Sequence, residues 1–176
     1  MSEAVDHPTV ARLKASFGGS IVESHSHRGD TTAVVDAAHY HDAVRFLRDD
    51  PECDFDFLTD IAGVDRLKLK QKPRFEIVLH LYSRRRNVRF RLKTRPANDQ
   101  EPVIDSIVDL YPAANWPERE IFDMFGVRFD RHPNLQRILM YEEFAGHPLR
   151  KDYPVNKRQP RVTERAIPDD RPGMLF

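Results

Sequence analysis

Cysteine occurs once in this chain, at Cys53, and that scarcity removes several chemistries together. A lone thiol cannot form an internal disulfide, and it cannot build an iron–sulfur cluster or a cysteine zinc site without another chain. It fits a reducing compartment. No Gly-rich phosphate loop is present, and no nucleophile sits beside a base. The N-terminal MSEAVDHPTV lacks the apolar core of a signal peptide. No run approaches the roughly 20 apolar residues that span a bilayer, so the chain is expected to be soluble by itself and to reach a membrane only through partners. Charge of either sign is not in excess: Lys+Arg and Asp+Glu both number 28. A balanced chain without basic–aromatic interleaving argues against a nucleic-acid platform.

What is there is 176 residues, enough for one domain with a core and an appendage. Charge is uneven locally. Arg66 to Arg95 holds twelve basic residues and one acid, Glu76, whereas Asp49 to Asp60 holds six acids and no base. Such runs are either solvated faces or interaction surfaces.

Val10, Leu13 and Phe17 fall at helical spacing before the stop Gly18-Gly19. Ile21–His27 and Thr31–Asp36 read as short strands around a turn at Arg28-Gly29-Asp30, which places His25 and His27 on one face. Tyr40, Ala43, Val44 and Leu47 mark a helix over 39–49, and Phe55 to Val64 reads as a buried strand. Phe75–Tyr82 and Val88–Arg95 alternate with period two around Arg84-Arg85-Arg86-Asn87, so they predict an antiparallel hairpin with one basic face. Pro102 to Tyr111, with Val103, Ile107 and Leu110 as its stripe, predicts a helix that Pro112 ends. A second helix is expected from Asn115 or Trp116 as cap, with Pro117 and two acids in the first turn, to Gly126.

The class expected is α+β: a small mixed or antiparallel sheet with packed helices over 1–112, a motif-dense segment of helix plus loops over 113–154, and an extended tail over 155–176. The Pro-rich tail lacks the apolar residues for a core of its own.

The segment WPEREIFDMFGVRFDRHPNLQRILMYEEFAGHPLRKDYP, residues 116–154, is the densest in chemistry-bearing side chains. Glu120 and Asp123 share a helix face at i, i+3. They offer paired carboxylates for acid–base work or a metal, or else complement the helix dipole and pair with Arg119 or Arg128. His132 and His147 each precede a proline and stand fifteen residues apart, which is no specific ligand spacing. Phe122, Met124, Phe125 and Phe129 line a pocket or dock the helix on its sheet. From these residues alone the chain is a globular module with no visible reaction centre. A small acid–base enzyme using Glu118, Glu120 and His132, or an RNA-binding module using the 88–95 stripe, stays open.

Glu118-Arg119-Glu120, Asp123-Met124-Phe125-Gly126, His132-Pro133-Asn134-Leu135, Arg137-Ile138-Leu139 and Gly146-His147-Pro148-Leu149-Arg150-Lys151-Asp152-Tyr153-Pro154 together resemble the signature of one family. It is the thirty-kilodalton subunit family of respiratory complex I, known as the C subunit in the bacterial NADH–quinone oxidoreductase. Phe57 to Asp65, FLTDIAGVD, is also typical of it. Tyr141 stands where members commonly carry Pro, Gln136 where a basic residue is usual, and Phe144 where Trp is frequent. The resemblance implies a cofactor-free structural subunit of the peripheral arm, on the cytoplasmic face of the bacterial inner membrane. Its partners would be the forty-nine-kilodalton-type D subunit, near the quinone cavity, and the iron–sulfur B and I subunits. FMN, iron–sulfur clusters and quinone would then belong to those partners, and the signature residues would serve interfaces and ion pairs. The equivalent subunit of a related membrane-bound hydrogenase or of another donor–quinone oxidoreductase complex is the alternative.

Overall fold

The computed structural model describes residues 7–159 and Arg161. Helix α1 (Pro8–Phe17) starts where the His7 ring accepts the Thr9 N–H at 3.3 Å. Pro8 loses nothing in this first turn, where N–H groups lack helical partners. Gly18, at φ +52°, ends it. Strands β1 (Ile21–His27) and β2 (Asp30–Asp36) form the expected hairpin. The Asp36 carboxylate accepts His39 N–H at 2.9 Å and opens a short turn into α2 (Tyr40–Asp49). Tyr40, Ala43, Val44 and Leu47 are its buried stripe, at the spacing read from the sequence.

Next come β3 (Phe57–Asp65), β4 (Phe75–Ser83) and β5 (Val88–Arg95). The sheet runs β1-β2-β5-β4-β3, antiparallel throughout except where β2 lies parallel to β5. The fold is therefore α+β with a mixed sheet. Period two decides its faces: Ala33, Val35, Ile77, Leu79, Leu81, Phe90 and Leu92 join the helices in one core. That core runs from Val10 to Phe129 and crosses residue 112 without a break.

The opposite face carries the expected basic stripe, much of it paired. Lys93 and Arg95 pair with the buried Glu76 at 2.9 and 2.7 Å, and Arg91 pairs with Asp30 at 3.0 Å. The acidic run is matched in the same way: Arg84 meets Asp56 at 2.7 Å, and Arg85 meets Asp54 at 2.6 Å. Among the described residues the two runs meet only at the β4–β5 turn, through these two pairs, and their other charges pair elsewhere or not at all.

The helix expected over 102–111 is absent. Val103–Asp105 is strand β6, paired in parallel with β7 (Arg128–Asp130), and a single turn follows in which Leu110 and Tyr111 N–H donate to the Ile107 carbonyl. Helical propagation fails because the Ser106 hydroxyl and Ile107 N–H are held by a carboxylate from another element. Helix α3 (Asn115–Phe125) then begins two residues before Pro117, straight out of the Pro112–Ala114 turn, and has no side-chain cap.

Helix α3 packs on β3 at Gly63. A Cβ there would lie 2.9 Å from Phe125 Cδ2 and 3.2 Å from Ile121 Cγ2. Gly63→Ala is therefore expected to lower stability by about 1–3 kcal/mol through overpacking, read as a drop in thermal midpoint. An unchanged midpoint would show that the helix can shift freely. Residues 155–159 have no regular structure, and most of the tail expected to be extended lies outside the described residues.

Candidate functional site

The signature residues converge on α3, through two carboxylates buried five positions apart. Glu118 is inaccessible to solvent. Its Oε1 accepts Ile107 N–H at 2.9 Å, and its Oε2 accepts the Ser106 hydroxyl at 2.6 Å. Burial pushes its carboxyl up to about 7, against the opposing pull of those two donors. No Lys or Arg among the described residues pairs with it. His132 Nε2 lies 4.0 Å away, and it faces the Asn115 carbonyl at 3.2 Å while its Nδ1 accepts Asn134 N–H at 3.0 Å. That pattern fixes the neutral Nε2–H tautomer, and burial lowers the ring's pKa.

Asp123 is equally buried but oppositely placed. Its Oδ2 accepts three consecutive N–H groups, from Ile138, Leu139 and Met140, at 3.1, 2.9 and 2.8 Å. Its Oδ1 meets Arg137 Nη1 at 2.7 Å, and Arg137 also donates to the Gly146 carbonyl. Burial alone would raise this carboxyl; the three amides and the guanidinium outweigh it and hold it below the usual range. Two acids on one helix thus serve as anchors for different loops.

The end of α3 explains the His-Pro-Leu-Arg stretch. The last carbonyls of a helix lack internal partners. Here Asp123 O accepts from His147 Nδ1 at 2.9 Å, Met124 O from Leu149 N–H at 3.1 Å, and Phe125 O from Arg150 Nε at 2.6 Å. A neutral ring donor and a cation at the negative end of the dipole complete the cap. Gly126 is the left-handed terminator at φ +73°, and any Cβ there would stand 2.5 Å from His147 Nε2 and 2.6 Å from Arg150. Pro148 is half-buried beside His147. Tyr153 stacks on Phe144 with ring centroids 6.0 Å apart, and Asp152 grips Arg74 at 2.7 Å.

Some expected roles change. Arg119 makes no ion pair with the acids of α3. It donates to the Gln136 and Arg137 carbonyls at 3.1 and 3.2 Å, a backbone clamp. Glu118 is likewise held by a hydroxyl and an amide. Glu120 does not join Asp123; it is exposed, as are Pro133 and Lys151. Arg128 turns to Asp130 at 3.1 Å. Phe125, Met124 and Phe129 are buried in the common core.

Sequence reasoning passed over Ser106 and the Asp65–Arg74 pair. Asp65 accepts Lys151 N–H at 2.8 Å and a two-pronged contact from Arg74 at 3.0 and 2.6 Å, which ties β3 to the signature segment. Its one sequence signal was its place at the end of Phe57–Asp65, a stretch typical of the family.

These contacts define a small α+β domain braced by its own C-terminal signature, with buried acids that hold loops. Comparison with known proteins gives the family. Residues 33–159 match the family model described as "Respiratory-chain NADH dehydrogenase, 30 Kd subunit". The C subunit of the NADH-quinone oxidoreductase of Roseiflexus castenholzii is 45% identical over 161 residues, covering 91% of each chain. That of Burkholderia multivorans is 40% identical, covering 94% of each. Among solved structures, the trypsin-resistant fragment (1-134) of Nqo5 superposes with a TM-score of 0.62 at 26% identity, covering 72% of this chain and 99% of that one. A chain of the membrane-bound sulfane sulfur reductase, an archaeal respiratory membrane complex, shares the fold with a TM-score of 0.68 at 24% identity, covering 90% of this chain and 96% of that one. The chain belongs to the family of that matching model, the smaller of the two kilodalton-named subunits introduced above, and is part of a complex I-type oxidoreductase assembly.

Proposed function

We propose that this chain is a cofactor-free structural subunit of the peripheral arm of a proton-translocating NADH:quinone oxidoreductase, docked on its forty-nine-kilodalton-type D subunit beside the iron–sulfur B and I subunits. Flavin, clusters and quinone belong to those partners, and the assembly sits on the cytoplasmic face of the inner membrane. No described helix is long and apolar enough to cross a membrane, which accords with attachment through partners.

The observation that carries this reading is how the signature residues are used. Apart from the exposed Glu120 and Lys151, most of their polar groups are spent on holding the 106–108 and 136–153 backbones against α3. Large apolar side chains of the same segment are left facing outward, with Trp116 69% and Leu139 58% exposed. A rigid rim that presents aromatic and aliphatic groups is what a permanent interface needs. A partner that binds only the folded chain also stabilises it by mass action.

Arg119→Ala tests it. Loss of two hydrogen bonds from a charged donor loosens the 136–137 backbone by about 1–3 kcal/mol, and the variant is expected to be under-represented in the assembled oxidoreductase on native gels. Wild-type incorporation with full quinone reductase activity would refute a docking role for this clamp. Co-purification from native membranes separates the second reading, the equivalent subunit of a membrane-bound hydrogenase or of another donor–quinone oxidoreductase. A flavin-containing, NADH-oxidising assembly supports the first reading.

A further inference from the structure

Many charges in this protein are cancelled in pairs, as Arg84–Asp56, Arg85–Asp54, Arg91–Asp30 and Arg12–Asp50 illustrate. One corner gathers three lysines that are not. The loop after β3 meets the end of the signature segment there, and the two are gripped by one carboxylate. Asp65 Oδ1 accepts Leu67 N–H at 2.9 Å, and Asp65 Oδ2 accepts Lys151 N–H at 2.8 Å. The acids at this corner are consumed: Asp65 and Asp152 by Arg74, and Asp99 by Lys72. Lys68, Lys70 and Lys151 are exposed and make no ion pair among the described residues. Leu67, Leu69 and Leu149, interleaved with them, are 41%, 64% and 47% exposed.

The loop is also preformed. Leu69 N–H donates to Arg66 O at 2.9 Å, and Lys70 N–H donates to Leu67 O at 3.1 Å. The buried Arg66 guanidinium locks the base of the loop to the Gln71 side chain at 2.9 Å and the Pro73 carbonyl at 3.1 Å. Arg74 and Arg150 lie over the Phe75 ring from 4.9 and 5.2 Å. Ordering cost on binding is therefore small, as it is for any surface already held in its bound shape.

We infer that this corner, Leu67–Lys70 with Leu149 and Lys151, docks on an acidic, apolar-slotted face of a partner subunit. Such a face supplies carboxylates to three ammonium groups and recesses to three leucines. The inference rests on the subunit reading above and adds the partner's chemistry to it. Charge complementarity selects the occupant: the corner has spent its own acids and keeps three exposed, unpaired lysines on a rigid frame. A lipid surface fits less well, since three lysines fall short of the clusters of about four to eight that bind anionic headgroups.

The test uses the assembly as purified from membranes. A carbodiimide, which joins amines to carboxylates in direct contact, is expected to link Lys68, Lys70 or Lys151 to an Asp or Glu of another subunit. The triple variant Lys68→Glu, Lys70→Glu, Lys151→Glu should keep the thermal midpoint of the isolated chain yet enter the complex about tenfold less well, since like charges face each other across the contact. Both results together support the inference. Three lysines as open to acetylation in the complex as in the free chain would overturn it, and so would normal incorporation of the variant. Binding of the isolated chain to vesicles containing phosphatidylglycerol, lost in the triple variant, would overturn it in favour of a lipid surface. Absence of the chain from any such complex would instead reject the subunit reading, and this inference with it.

Discussion

Asp123→Ala is expected to unfold about 3–5 kcal/mol more easily than the wild type, because it strands a half-buried guanidinium and three backbone donors together. The carboxylate is inaccessible, and its two oxygens take four hydrogen bonds from Arg137 and the 138–140 amides. No other described carboxylate reaches those donors. The expected signature is local as well as global: urea denaturation shifts to a lower midpoint, and exchange of the Ile138, Leu139 and Met140 amides accelerates before the sheet opens. Asp123→Asn keeps one acceptor and should fall between the two. A loss below about 0.5 kcal/mol, within the range of ordinary surface substitutions, would show that the loop is held by something else.

The second large effect is a pH dependence running against the usual one for acids. Glu118 titrates near 7 in the folded chain, well above the ordinary glutamate value of 4.5. Between those values the folded state holds a proton that the unfolded state has released. Its contribution is therefore fully present below pH 4.5 and is lost as pH rises towards 7 and above. The span corresponds to about 3 kcal/mol. His132 and His147 work in the opposite direction. Burial lowers both, so they weaken the fold as pH falls below 6.5.

The wild-type profile mixes these effects, and the comparison with Glu118→Gln isolates one of them. Glutamine can still accept from Ile107 N–H and can donate to Ser106 Oγ without carrying charge. The variant is expected to gain on the wild type in unfolding free energy from about pH 4.5 to 7 and to level off above that. Parallel profiles would place the Glu118 pKa close to that of free glutamate. Asp123, held low, does the reverse and is lost only as pH falls through and below 3.8. One helix thus carries two acids whose titrations pull stability opposite ways.

The sequence showed what depends on neighbours along the chain. The hairpin of β4 and β5 was legible because Phe75-Ile77-Leu79-Leu81 and Val88-Phe90-Leu92 alternate without a break. The stripe of α2 and the stop at Gly126 were legible for the same kind of reason. What failed depended on distance. Val103, Ile107 and Leu110 do sit at helical spacing, yet Glu118 reaches back to hold Ser106 and Ile107, and that contact leaves no trace in local periodicity. The signature residues were recognisable as a set, but their partners were not. Arg119 was expected to find an acid and found two carbonyls. The charge runs were visible, while the partners of their charges, such as Asp30 for Arg91 and Arg12 for Asp50, needed the fold.

The parallel pairing of β2 with β5 bears on the order in which the chain is made. β1 and β2 can close as a hairpin soon after synthesis, and α2 follows at once. The free edge of β2 then waits for Val88–Arg95, since Thr32 must meet Arg91. During that interval Ala33 and Val35 lie beside unpaired backbone, an invitation to pair with another nascent chain. Such non-local closure is slow relative to hairpin formation. Newly made copies of this protein are thus most prone to cross-pair and to need chaperones before residue 95 leaves the ribosome, and least so once β5 has zipped the two halves together.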